Sequence, residues 1–200
     1  MCIRDSDNTD RVHIVVNGIV ENYVELKQKL ADMGARFTSE TDAEVIAHLV
    51  AHHMALGDLV QAVRAAYAEL RGHYAFVAIS ADEPGVLVGA RKECPLIVGR
   101  GDGEQFIASA IPAFLRDTRR VQYINDDEIV VLRPDGVEFL TAAGESVERE
   151  VVEIDWDAEQ AEKQGYETFM LKEIHEQADA DAETIGERAA RPDGIDLGDL

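Results

Sequence analysis

Two hundred residues, at roughly 100 to 200 per domain, allow one full domain with an appendage and a core of its own. Hydrophobic residues make up 46% and charged residues 30% of the chain, close to the globular average, which excludes wholesale disorder and fibrous repeats. With Asp+Glu 40 against Lys+Arg 19 the formal charge is -21, a field that repels phosphate backbones and anionic lipid headgroups, so neither a nucleic-acid nor a membrane-surface role is expected.

The same acidity predicts a fold that salt stabilises, because screening relieves its self-repulsion. Cys2 and Cys94 are too few and too far apart for a secreted disulfide framework or a zinc knuckle, and a reducing cytoplasm is the expected setting. No apolar run approaches the ~18 residues of a membrane span, and the polar stretch Met1 to Asp10 has none of the features of a signal peptide.

In chain order, Val12-His13-Ile14-Val15-Val16 predicts a buried strand that stops at Asn17-Gly18. Tyr23, Leu26, Leu30 and Met33 recur at helical spacing, with Gly34 as the stop. A second helix is expected from Thr41-Asp42-Ala43-Glu44, Thr41 capping and Glu44 reaching back, with Val45, Ile46, Leu49 and Val50 as its apolar stripe. Gly57-Asp58 closes it and opens a third helix, carrying Leu59, Val60, Val63, Ala66, Tyr67 and Leu70 up to Gly72.

Beyond Gly72, short apolar runs separated by Gly, Pro and Asp predict antiparallel strands around positions 73–79, 86–88, 96–98, 105–108, 121–123, 128–132, 137–139 and 147–154. Helices from one stretch and strands from the next argue an α+β layered domain. From Asp157 the chain turns acidic and Ala-rich, with helical runs at 168–177 and 178–190 and a helix-breaking linker at 191–200.

Several residues could carry chemistry. Asn17-Gly18 fits a tight hairpin turn; the residues after it have helical rather than returning-strand character, which leaves room for an oxyanion hole built from the Asn amide and the Gly N–H. Asp42 can cap a helix start, or it can face a pocket and hold the α-ammonium of an amino acid. His48 and His52, one turn apart and succeeded by His53, have the spacing of a metal face, but no zincin Glu accompanies them, and a partly exposed histidine pair explains them as well. Cys94 reads as a small buried thiol in a turn. Cys2, freed by removal of Met1, would be a nucleophile with its own α-amine as base, yet the charged stretch Ile3-Arg4-Asp5-Ser6 does not bury such a terminus.

The stretches Ile14 to Asn22 and Ser39 to Leu49, with Leu70 to Ala75, Phe106 to Ser109 and Phe169 to Gln177, resemble the glutaminase domain of class II glutamine amidotransferases. The resemblance implies an N-terminal-nucleophile hydrolase fold, a four-layer αββα sandwich, in which an amino-terminal cysteine attacks the side-chain amide of L-glutamine. It matches Asn17 and Gly18 to the oxyanion hole and Asp42 to the carboxylate that holds the glutamine ammonium. It requires no cofactor and no metal.

The run Phe169 to Gln177 is similar to an exit toward sugar isomerase domains, which implies D-fructose 6-phosphate as the ammonia acceptor and a homodimeric parent. The family's opening residues, with the nucleophile and the arginine for the substrate carboxylate, have no counterpart here. The expectation is therefore a domain incomplete at its N-terminus: a foreign or misassembled start at 1–6, a partial amidotransferase domain at 7–156, and a helical exit and linker at 157–200, inactive alone. A glutaminase domain of another pathway and a non-catalytic α+β binding module are the alternatives.

Overall fold

The computed structural model describes residues 3–155 and 166–186, and the chain divides into two compact units, Met1–Asp155 and Trp156–Leu200. The first unit opens with strands β1 (Ile3–Ser6) and β2 (Val12–Val20), then helices α1 (Tyr23–Asp32), α2 (Ala43–His53) and α3 (Leu59–Glu69). Strands succeed them as β3 (Gly72–Ser80), β4 (Leu87–Lys92), β5 (Ile97–Arg100), β6 (Gln105–Ala108), β7 (Arg120–Tyr123), β8 (Glu128–Arg133), β9 (Gly136–Thr141), β10 (Ser146–Val147) and β11 (Val152–Glu153). Every strand pair is antiparallel. They form a seven-stranded sheet ordered β1-β2-β3-β4-β8-β9-β10 and a four-stranded sheet ordered β11-β7-β5-β6.

Helices, large sheet and small sheet stack in that order, with one core in each gap. On the helix side, Val12, Ile14, Val16 and Val20 of β2 and Tyr74, Phe76 and Ala78 of β3 pack against Leu26, Leu30, Ile46, Leu49 and Val63. On the other face, Ala75, Val77, Val130 and Leu132 meet Leu96, Val98 and Ile124. β3 is thus covered on both faces, which is why it reads as an almost unbroken apolar run rather than an alternation. The chain is α+β, as its sequence implies.

The structure corrects four details. The strand at Val12 does not stop at Asn17-Gly18: its ladder with β3 continues through Asn17↔Ala75 and Gly18↔Tyr74 to Val20↔Gly72, so the pair forms no hairpin turn. α2 has no separate apolar stripe, since every residue from Ala43 to Val50 is buried; the helix is wedged between its neighbours. The stretch at 147–154 splits into β10 and β11, which join different sheets, because a strand that leaves one layer has to cross to pair in the other.

The fourth correction falls in the second unit, where α4 (Phe169–Gly186) runs unbroken across the boundary expected near Gln177. The Leu171 N–H donates to Thr168 Oγ1 at its start, and Tyr166 stacks on His175. Cys2, positions 187–190 of the expected helical run and the linker at 191–200 lie outside the described residues. Among those described, no helix is long and apolar enough to cross a membrane.

Candidate functional site

Alternation along β2 sends Val15, Asn17 and Ile19 to the face opposite the helix-side core. There Val15 remains 46% exposed, because β6, the edge strand of the small sheet, leaves an opening beside it. The result is a hollow of about 390 Å³ lined by Val15, Asn17, Ala75, Val77, Leu96 and Ile107, closed at one side by the Ala108-Ser109-Ala110 segment. Its walls are largely apolar. Asn17 is half-buried in them, and no other described residue receives a hydrogen bond from its carboxamide or gives one to it. An apolar cleft with one convergent polar group is the usual form of a small-molecule site.

Gly18 comes next with φ 108, a backbone conformation that side chains with a Cβ rarely adopt. A Cβ here would be driven against the His73 carbonyl, 2.7 Å from Tyr74 Cα and 2.9 Å from Cys94 Sγ. Only glycine lets β2 approach β3 so closely at this point, so local geometry and the neighbouring strand together dictate the residue.

Asp42 occupies the cap position of α2 but makes no capping bond. Its Oδ2 instead accepts from the Val20 N–H at 2.7 Å, which ties the start of α2 to the end of β2, and Oδ1 accepts nothing from the described residues. Val20, to which Asp42 is tied, stands three residues, or about 10 Å of extended chain, from Asn17. The structure brings the three groups to one strand end. It does not place them in one wall: Asn17 looks into the hollow, while Asp42 reaches the strand from the helix layer.

Glu44 is the residue that sequence reasoning underread. It does reach back, but past Thr41: Oε1 accepts from the Thr38 N–H (2.7 Å) and hydroxyl (3.0 Å), and Oε2 from the Ser39 N–H (2.7 Å) and hydroxyl (2.8 Å). Burial would raise its pKa, yet these four donors win and hold the carboxyl down at about 2. Glu44 therefore anchors the loop that delivers Asp42. The hydroxyl residues Thr38 and Ser39, six and five positions before it, were the available signal.

The histidines do not form a metal face. His48 is 5% exposed, not part of an exposed pair, with its ring 4.6 Å from Phe37 and Nε2 3.5 Å from Glu44 Oε1. His53 pairs with Glu69 at 2.8 Å, and His52 is exposed. Among the described residues, no group of three His, Cys, Asp or Glu side chains is placed to hold a metal ion. Cys94 is a free, half-buried cysteine in the turn after β4.

The sequence family described as "Glutamine amidotransferase domain" matches residues 3–116, more than half of the chain. The chain belongs to the glutamine amidotransferase domain family. Among curated relatives of this amidotransferase domain, a glutamine--fructose-6-phosphate aminotransferase [isomerizing] from Methanothermobacter thermautotrophicus is 50% identical over 183 residues, covering 91% of this chain and 31% of that protein. The protein of the same name from Streptomyces coelicolor is 46% identical over 180 residues, 90% of this chain and 29% of its own length. The chain thus spans under a third of these relatives.

Of solved structures, a glutamine phosphoribosylpyrophosphate amidotransferase from B. subtilis matches with a TM-score of 0.59 at 22% identity, over 71% of this chain and 31% of that one. That likeness is one of fold: the layered sheets are those of an N-terminal-nucleophile hydrolase of the class II amidotransferase type.

Proposed function

We propose that this chain is the glutamine-hydrolysing domain of a glutamine-fructose-6-phosphate aminotransferase, in which nitrogen from L-glutamine passes as ammonia to D-fructose 6-phosphate, giving D-glucosamine 6-phosphate and L-glutamate. The names of relatives 44 to 50% identical to it support the pathway. What supports the chemistry is one observation above all: a carboxamide, Asn17, that lines an apolar hollow with no bond to any other described residue and lies next to a glycine whose conformation is fixed.

In this reading the glutamine side chain enters the hollow with its aliphatic stem against Val15, Ala75 and Val77. A thiolate attacks the amide carbon, and the carbonyl π electrons move to oxygen. The Asn17 Nδ2–H and the Gly18 N–H then stabilise that oxygen as its charge develops. The tetrahedral species collapses with a proton delivered to nitrogen, releasing ammonia and leaving a thioester that water hydrolyses to glutamate. Asp42 Oδ1 holds the α-ammonium. No cysteine lines the hollow among the described residues, so the attacking thiol is supplied from outside them. A homodimer in a reducing cytoplasm belongs to the same proposal.

The test is glutamate release from L-glutamine by the full-length product of the gene, then formation of glucosamine 6-phosphate when fructose 6-phosphate is added. Asn17→Ala should lower kcat by ~10² to 10³, as loss of one oxyanion donor does elsewhere. Hydrolysis without transfer to the sugar phosphate would assign the domain to another amidotransferase. An unchanged rate in Asn17→Ala would remove the oxyanion role.

A further inference from the structure

The turn that joins β4 to β5 is tied down far more heavily than its length requires. Glu93 sits at φ 62, a strained conformation for a residue with a side chain. Three ties hold it there. Its N–H donates to Asp126 Oδ1 at 2.8 Å, and the same oxygen is gripped by Arg91 Nη2 at 2.8 Å. Its carboxylate meets His73 Nδ1 at 2.6 Å. Its backbone bridges to Tyr74 of β3. The next residue closes the turn, the Cys94 N–H donating to Lys92 O at 2.7 Å.

The consequence of this geometry falls on Gly18. The direction in which a Gly18 Cβ would point is filled by Cys94 Sγ at 2.9 Å, Tyr74 Cα at 2.7 Å and the His73 carbonyl. His73 and Tyr74 are also the residues that Glu93 engages. The strained turn and the paired strand therefore close on Gly18 from the same side, and the sulfur is the one side-chain atom among the three nearest to where that Cβ would stand. Gly18 is paired opposite Tyr74 in the β2–β3 ladder, and it has no Cβ of its own to fill the space on this side, so the Cys94 sulfur fills it.

We propose that Cys94 is a positioning residue, holding the Gly18 peptide, through a sulfur contact carried by the turn that Glu93 anchors, in the orientation that aims its N–H at the reacting carbonyl oxygen. This rests on the oxyanion reading of Gly18 given above. Removing the sulfur opens a gap beside Gly18, and the peptide rotates into it. A β-branched methyl in its place pushes the other way. A hydroxyl of nearly the same shape keeps the contact.

The experiment compares Cys94→Ala, Cys94→Val and Cys94→Ser in the full-length gene product, with Asn17→Ala as reference. Two readouts are taken: kcat and KM for glutamine hydrolysis, and the amide exchange rate of Gly18 in protein labelled with ¹⁵N-glycine. Cys94→Ala and Cys94→Val should lower kcat about 10- to 10²-fold with KM unchanged, the effect of a displacement near 1 Å at a reacting group. They should also speed exchange at Gly18, and Cys94→Ser should restore both.

If Gly18 exchange and kcat stay at wild-type values in all three variants while Asn17→Ala is impaired, the positioning role is overturned and the oxyanion reading stands. A loss of kcat that Cys94→Ser does not rescue, or a loss in melting temperature alone, also overturns it. If Gly18 exchange rises but neither Cys94→Ala nor Asn17→Ala changes kcat, the oxyanion reading itself falls, and this inference falls with it.

Discussion

A methyl group added at Gly18 would meet Tyr74 Cα and Cys94 Sγ inside 3 Å in a backbone conformation at φ 108 that alanine resists. Gly18→Ala should therefore cost about 2 to 3 kcal/mol in urea unfolding, a sum of backbone strain and forced displacement of β3. A stability within 0.5 kcal/mol or so of the wild type, the range of an ordinary surface change, would show that the strand accommodates the side chain. The Asn-Gly dipeptide was legible as a special position in the sequence, though the hairpin reading of it did not survive. The expected alternatives included a hairpin turn, and the true cause is a close approach in mid-ladder, which depends on a partner strand more than fifty positions away. The same distance hid the role of Cys94, whose local sequence says only that a small thiol sits in a turn.

Elements carry information that single residues do not. α2 is buried along its length from Ala43 to Val50, and its first turn is connected outward by two carboxylates with different tasks. Asp42 binds the end of β2, and Glu44 binds the loop at Thr38 and Ser39. Sequence reasoning expected a self-contained capping box, because the handiest acceptor pattern is local. The structure uses the same residue types to fasten the helix to its surroundings.

These bonds make stability depend on pH. Glu44 titrates at about 2 in the fold against 4.5 ordinarily, so its stabilisation is complete above pH 4.5 and is lost as the pH falls toward 2. Comparing Glu44→Gln with the wild type by urea unfolding should show a difference of about 3 kcal/mol at neutral pH, shrinking below pH 4.5 and gone near pH 2. A difference that stays flat across that range would mean that the four donors bind the neutral side chain equally well.

At the scale of the whole molecule, charge and exposed apolar surface work against each other. A formal charge of -21 keeps copies apart in dilute buffer, while Val15 at 46%, Ile19 at 64% and Ile79 at 44% exposure leave apolar strand surface open on the face of the large sheet that bears the hollow. Salt weakens the first effect. The melting temperature should rise between about 0.1 and 1 M KCl, where the Debye length falls from about 10 to 3 Å, and light scattering in the same series should show association increasing. A melting temperature that is flat or falling with salt would mean that the acidic groups are already compensated by pairs such as Arg91 with Asp126 and Arg149 with Glu128.

The order of residues alone disclosed the α+β class, three helices succeeded by a series of strands, and an amidotransferase likeness carried by stretches such as Ile14 to Asn22 and Ser39 to Leu49, because periodicity, turn chemistry and local residue patterns are properties of neighbours in sequence. Only the folded chain decided where the groups in those stretches look. It joined β2 to β3 through Asn17-Gly18, divided the last strands between two sheets, turned Glu44 toward a loop instead of its own helix, and set a cysteine from one turn against a glycine from another strand. Each of these is a contact between segments distant along the chain, and such contacts are selected by which faces can be buried together rather than by any residue's own preference.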